Sequence, residues 1–395
     1  MILKNCRLLA PLSDGKSSEK GAVSIVQGKI QAVYENGEAA EGTDGEEIVD
    51  CGGKTLLPGL IDAHTHIAGL RGYHPGKVKD PISFFLETCA ETGKYLDCGF
   101  TTIRDCGTPL RVANYVREAY ERGIGEGPRI ISCGLILMPT EIERSDALYD
   151  IYSFTDSADE GRKAARRELA ERGDFVKVMA SGSALHKRGI PVQPIMTREE
   201  IEAIVEAAKL KDSYVAAHAH GDGAVRLCAE AGVRTVEHAS FVSGETIHLL
   251  KEKENCYLIP TISAMYQNPA KTSEEYRFLL QKLEEMLKIS SACLQKAYES
   301  GLEMGFGTDS CPGMDQYEEG IEFRFRSELC GMENLDILAQ ATKLNAKILG
   351  IDHITGEIRP GLSADLILVD GRPDEDLSVM YRKPEQVFLN GRRVR

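Results

Sequence analysis

The sequence predicts an α/β protein: a (β/α)8 barrel, the TIM-barrel architecture, with a small composite β-sandwich built from both chain ends. Two observations predict it. The middle of the chain alternates eight short apolar runs with segments of largely helical patterning, and the two ends hold only short strands and turns. At 395 residues the chain exceeds the size at which one core stops growing, so one large domain and a smaller one are expected.

Taken in order, Met1–Leu9, Gly21–Val26, Lys29–Tyr34 and Glu47–Val49 read as strands separated by turns. At the other end Asp365–Val369, Gln386–Leu389 and Arg392–Val394 read likewise, the last two joined by an Asn-Gly turn. Neither set has enough apolar residues for its own core, so pairing them is the economical solution. The expected domains are residues 1–55 and 356–395 for the sandwich and 56–355 for the barrel.

The eight candidate barrel strands are Leu57–His66, Gly99–Cys106, Arg129–Leu137, Asp174–Ser181, Tyr214–His220, Thr235–Ser240, Cys256–Ser263 and Met304–Asp309. Continuous Val, Ile and Leu content marks strands buried on both faces. Helical patterning lies between them, for example at Ala158–Glu171, Thr197–Lys211 and Ser273–Ser300; Thr197 and Glu200 form a capping box. An open doubly wound sheet is the alternative, but no G-x-G-x-x-G phosphate loop follows an early strand.

A net charge of −14 argues against a nucleic-acid partner. No apolar run approaches the roughly 18 residues of a membrane helix, and no signal-peptide pattern opens the chain. A cytoplasmic protein is expected, acting on a small-molecule substrate as a homo-oligomer. The 11 cysteines include no C-x-x-C pair and read as reduced, mostly packing thiols.

Chemistry concentrates at the strand ends. His64 and His66 close the first strand, and a spacing of two places both imidazoles on one face. Lys177 interrupts the apolar run Phe175-Val-Lys-Val-Met179. Burial strips an ammonium of its hydration and so favours the neutral amine, which can add carbon dioxide to give an N6-carboxylated lysine. His218 and His220 end the fifth strand, His238 the sixth and Asp309 the eighth. One buried histidine is commonly a satisfied core group; His64, His66, Lys177, His218, His238 and Asp309 together at the face where barrels carry their active sites are not. The set His64, His66, Lys177, His218, His238 and Asp309 suits two divalent cations. Zinc fits best, with manganese, cobalt or iron also compatible with nitrogen and oxygen donors. Asp309 is expected to serve as general base toward a metal-bridging hydroxide.

These motifs resemble the amidohydrolase superfamily: the H-x-H after Pro58-Gly-Leu-Ile-Asp-Ala, the strand-four lysine, the later histidines, the strand-eight aspartate and the run Gly356–Val369. The segments Val178-Met-Ala-Ser-Gly182 and His218-Ala-His-Gly221 resemble the imidazolonepropionase-related group with its Xaa-Pro and Xaa-Arg dipeptidases. The resemblance implies the same six residues as metal ligands, Asp309 and Lys177 as catalytic groups, and His220 as a neighbour facing the substrate. It implies a metal-dependent hydrolase of an amide-type C–N bond in a dipeptide-like compound, an N-acyl amino acid or a cyclic amide. Deaminases of the superfamily usually lack the lysine and carry a glutamate after the fifth-strand histidine, where this chain has Ala219-His220. Deamination of a cyclic amidine or heterocycle is thus the alternative, and a catalytically silent ligand-binding barrel the alternative of another class.

One departure stands out. Dipeptidase-like members carry a Thr-Gly-Gly-His stretch after the third strand, and this chain has Met138-Pro-Thr-Glu-Ile-Glu-Arg-Ser145. Glu141 and Glu143 are therefore candidates for a cationic substrate group. His186 and Arg188, in the loop after the lysine strand, are candidates for a carboxylate. Tyr266 is a candidate donor to the substrate, and Asp105 a candidate partner orienting a histidine. His74, His248 and His353 lie off the strand ends and read as structural or surface residues.

Overall fold

The computed structural model describes residues 1–35, 47–68, 80–144, 148–183, 192–266, 280–311 and 320–395. The chain opens with five strands, β1 (Ile2–Leu8), β2 (Ser18–Val26), β3 (Lys29–Tyr34), β4 (Ile48–Asp50) and β5 (Thr55–Pro58). The long apolar run that follows does not form one strand. It breaks at Gly59, where a Cβ would lie 2.1 Å from Thr101 Oγ1, so only glycine lets the chain pass this close to its neighbour. Beyond the break β6 (Leu60–Thr65) pairs in parallel with β7 (Phe100–Asp105).

The predicted third strand is also split. Residues Arg129–Ser132 form β8 and pair with β7; Ile136–Met138 form β9. Between them Gly134 has φ +78°, a turn that an L side chain resists. The short β10 (Tyr152–Phe154), which the sequence pattern does not signal, pairs with β9. From β9 the parallel pairing continues through β11 (Val176–Met179), β12 (Val215–Gly221), β13 (Thr235–Phe241) and β14 (Tyr257–Ile259).

The expected eighth strand, Met304–Asp309, is held differently. Gly305 N–H donates to Leu258 O, and Ala63 N–H donates to Phe306 O. Asp309 N–H donates to His64 O, and His66 N–H to Ser310 O. Side chains supply the remaining bonds. Asn345 Oδ1 accepts from Phe306 N–H, its Nδ2 donates to Ile61 O and Phe306 O, and Asp62 Oδ1 accepts from Thr308 N–H. Carboxamide and carboxylate groups thus replace part of the ladder, which is why the segment carries no regular strand geometry.

Helices α1 (Pro81–Asp97), α2 (Val112–Glu121), α3 (Ala158–Ala170), α4 (Arg198–Lys209), α5 (Asp222–Ala231), α6 (Gly244–Glu252) and α7 (Leu280–Glu299) alternate with the parallel strands. The helix α4 shows why they form and dock. Thr197 and Glu200 make the expected capping box, and Ile201, Ile204, Val205 and Ala208 repeat at helical spacing on its buried face.

The chain ends meet in one sheet. Strand β5 pairs antiparallel with β15 (Leu366–Val369), which continues to β16 (Gln386–Leu389) and β17 (Arg392–Arg393); β5 also bridges to β1. Leu3, Val23 and Ile30 from one end and Leu366, Leu368 and Phe388 from the other share a single small core. Among the described residues no helix is long and apolar enough to cross a membrane.

Candidate metal centre

Both histidines of the H-x-H pair reach the same space because β6 ends between them. Thr65 faces the opposite way, its hydroxyl bonded to Arg104 O. The two imidazole centroids are 5.5 Å apart. Asp309 Oδ1 lies 3.3 Å from His64 Nε2 and 3.4 Å from His66 Nε2. A second group stands beside the first: His218 is 4.6 Å from both His220 and His238, centroid to centroid, and His238 is 4.9 Å from His64. Among the described residues, donor atoms within 4.8 Å of one another define His64–His66–Asp309 and His218–His220–His238 as two groups able to hold a cation. A third, His64–Cys106–Glu237, includes a carboxylate already engaged elsewhere.

The rings are oriented from behind. His66 Nδ1–H donates to Gly107 O at 2.9 Å, so its Nε2 carries the free lone pair. His64 Nδ1–H donates to Glu237 Oε2 at 2.7 Å, which turns its Nε2 toward Asp309. His238 Nδ1 and His220 Nδ1 bond the hydroxyls of Thr261 and Ser240 at 2.7 and 2.8 Å. His218 is the exception: its Nε2 faces Gly182 O at 3.3 Å, leaving Nδ1 for the site. Second partners that fix ring and tautomer are what a ligand imidazole needs.

Lys177 sits on β11, lines the same cavity as these six residues, and is 1% exposed. Its Nζ has no hydrogen-bond partner among the described residues. An amine stripped of water and unpaired is costly, and structures rarely retain one without a use.

Charge follows burial. Burial pushes His66 and His220 down to about 4 and takes His218 and His238 well below the usual imidazole value, aided for the last two by neighbouring histidines. These rings are therefore neutral near pH 7. Burial acts to raise Asp309, yet His64, His66 and Lys177 outweigh it and hold the group below its ordinary value, as a carboxylate. The backbone is also distorted here: His238 and Asp309 adopt φ +70° and +58°, left-handed geometry that costs about 1–3 kcal/mol and clusters at functional sites.

Two residues that sequence reasoning passed over complete the support. Arg104, on β7, is fully buried and donates to both carboxylate oxygens of Glu237 at 2.8 and 3.0 Å, to Thr235 Oγ1 and to Ala63 O. Burial works against the Glu237 carboxylate, but Arg104 dominates and drives it well below the usual range. The signal was available: a charged residue inside a buried strand run is as anomalous at 104 and 237 as at 177. Asp105 instead accepts from the backbone N–H of Ile67 and Gly107, so it shapes the loop carrying the His66 acceptor and, among the described residues, hydrogen-bonds no histidine. Burial raises its pKa to about 7.

Of the remaining expected contacts, those among the described residues do not line the cavity. Glu141 and Glu143 are exposed and absent from the cavity lining. Tyr266 packs edge-on against Phe325 at 5.6 Å, while its neighbours Ala264 and Met265 line the cavity. His186 and Arg188 lie outside the described residues, as does His74. His248 is exposed and faces Glu252, and His353 is exposed.

Comparison with known proteins gives a concordant result. The amidohydrolase family model matches residues 55–394. Ochratoxinase from Aspergillus niger is 28% identical over 370 residues, covering 84% of this chain and 73% of that protein. A solved prolidase complexed with N-methylphosphonate-L-proline is 27% identical with a TM-score of 0.87, covering 100% of this chain and 99% of that one. A solved Xaa-Pro dipeptidase with bound methionine is 28% identical with a TM-score of 0.86, covering 99% and 98%.

Proposed function

The chain belongs to the amidohydrolase family and is a hydrolytic enzyme, and on that footing we propose that it cleaves an amide-type C–N bond of a small molecule at a two-metal site. The family and the solved relatives imply a TIM-barrel amidohydrolase fold. Two runs of parallel pairing, β6 to β8 and β9 to β14, with the bonds of residues 304–310 to β6 and β14, support a closed eight-stranded ring. The terminal strands are read as a composite β-sandwich, with its boundary moved to Gly59 because β5 pairs with β15.

The residues present fit the cations the family generally uses. His64, His66 and Asp309 would hold one ion, and His218 and His238 the other. Lys177, as its N6-carboxylated form, would serve both, and His220 stands within reach of the second. Imidazole and carboxylate donors suit zinc, and also manganese, cobalt or iron. When bound, such ions polarise an amide carbonyl and acidify water. Asp309, held as a carboxylate, takes the proton from the attacking water and passes it to the departing amine. The Arg104–Glu237 pair keeps His64 in one tautomer throughout. Water thus adds across the C–N bond to give a carboxylate and an amine. Ochratoxinase and prolidase among the similar proteins favour a dipeptide-like or N-acyl amino acid substrate over a cyclic amide.

The observation that carries this reading is the buried, unpartnered amine of Lys177 facing five imidazoles and one carboxylate. The test is to load the enzyme with zinc and bicarbonate and assay dipeptides, N-acyl amino acids and cyclic amides. The expected products are an amine and a carboxylate. Release of ammonia from heterocyclic amines, with amides untouched, would instead identify a deaminase.

A further inference from the structure

Two small apolar clusters stand apart from the main core. One holds Ile136, Ile151 and Met179, from β9, the turn before β10, and β11; the other holds Met265, Leu283 and Met286, from the segment after β14 and the start of α7. In sheet order these elements flank β12 and β13, the strands that carry His218, His220 and His238. All six side chains line the cavity over the candidate metal centre, and each is nearly inaccessible to solvent. Among the described residues no acidic or basic side chain lines that cavity apart from Asp309, Lys177 and the histidines.

We propose that the two clusters form an apolar slot that receives an uncharged aliphatic or aromatic side chain next to the scissile bond. The substrate class is then an amide of an apolar amino acid. This inference rests on the amide-hydrolase reading and narrows it. A charged group placed between these walls would shed its hydration with no partner on either wall, whereas an apolar one leaves water favourably. Three of the six are methionines, whose unbranched, polarisable chains repack around different shapes. Leucine, methionine and phenylalanine substrates should therefore differ less among themselves than from lysine or glutamate. The exposed Glu141 and Glu143 supply no counter-charge to this slot.

The test pairs a kinetic and a binding readout on the zinc-loaded enzyme. Xaa-Ala and Ala-Xaa dipeptides with Xaa as Leu, Met, Phe, Lys or Glu are compared by kcat/KM, and hydroxamates of leucine and lysine by calorimetric titration. Preference for apolar Xaa of at least about tenfold at one position, with the leucine hydroxamate bound at least about tenfold tighter, is expected. Met286→Glu and, separately, Ile151→Asp should each erase that preference while thermal unfolding confirms the fold. Dipeptide cleavage indifferent to charge overturns the slot and leaves the amide reading intact. Tight leucine hydroxamate binding without cleavage of any dipeptide, N-acyl amino acid or cyclic amide upholds the slot and sinks the amide reading. Equal hydroxamate binding overturns the slot in either case.

Discussion

Replacing Glu237 with glutamine removes one charge and alters almost no volume, yet three buried partners, Arg104, His64 and Thr235, depend on it. Arg104 has no exposure to solvent and gives two of its bonds to this carboxylate; His64 gives it the Nδ1 proton. Breaking a buried pair by removing one partner costs about 3–5 kcal/mol, because the remaining charge stays buried. The amide oxygen can accept from Arg104 or from His64 but is a weaker acceptor for either, so a loss of about 3 kcal/mol is expected in urea unfolding of the metal-free enzyme. Loss of a histidine's orienting partner typically weakens metal affinity about 10–100-fold, which competition with a chromophoric chelator measures. The double variant Arg104→Met/Glu237→Leu separates the two effects: it removes both charges and should recover much of the stability, but His64 still lacks its acceptor and zinc affinity should stay low. A Glu237→Gln protein within about 0.5 kcal/mol of wild type, with unchanged zinc affinity, would refute the reasoning.

Three further outcomes follow from the same geometry. Asp309→Asn should lower kcat by about 10²–10⁴-fold with a smaller effect on KM; a change within threefold in steady-state assays would remove Asp309 as the base. Stripping the enzyme with a chelator should lower its melting temperature in a thermal scan, since an ion present at 1,000 times its dissociation constant adds about 4 kcal/mol; an unchanged melting temperature with full activity speaks against a bound ion. Asn345→Leu leaves Phe306 N–H and the carbonyls of Ile61 and Phe306 without their side-chain partner, so a loss of at least about 2 kcal/mol is expected by urea unfolding, and no change would mean that water replaces the carboxamide freely.

Much of this architecture is legible from periodicity. Buried parallel strands announce themselves as apolar runs, and seven of the eight expected runs contain regular strand residues. The eighth escaped because Asn345 and Asp62 supply bonds that a ladder would otherwise make, and no local pattern encodes a partner some 40 or 250 residues away. The break at Gly59 was likewise hidden, since its cause is the approach of Thr101 from another strand. At the site, the lysine and the histidines drew notice because polar groups inside apolar runs are anomalous. Arg104 and Glu237 carry the same anomaly, but their pairing joins strands that are not neighbours in sequence. A position after a strand end does not fix which way a ring turns, and the Tyr266 ring packs against Phe325.

Anomalous diffraction at the zinc edge, from crystals grown with zinc and bicarbonate, tests the centre most directly. Two peaks are expected, one within coordinating distance of His64, His66 and Asp309 and one beside His218 and His238, with continuous density joining a carboxylated Lys177 to both. A single peak, or a bare Lys177 amine turned away from the ions, would contradict the two-metal account.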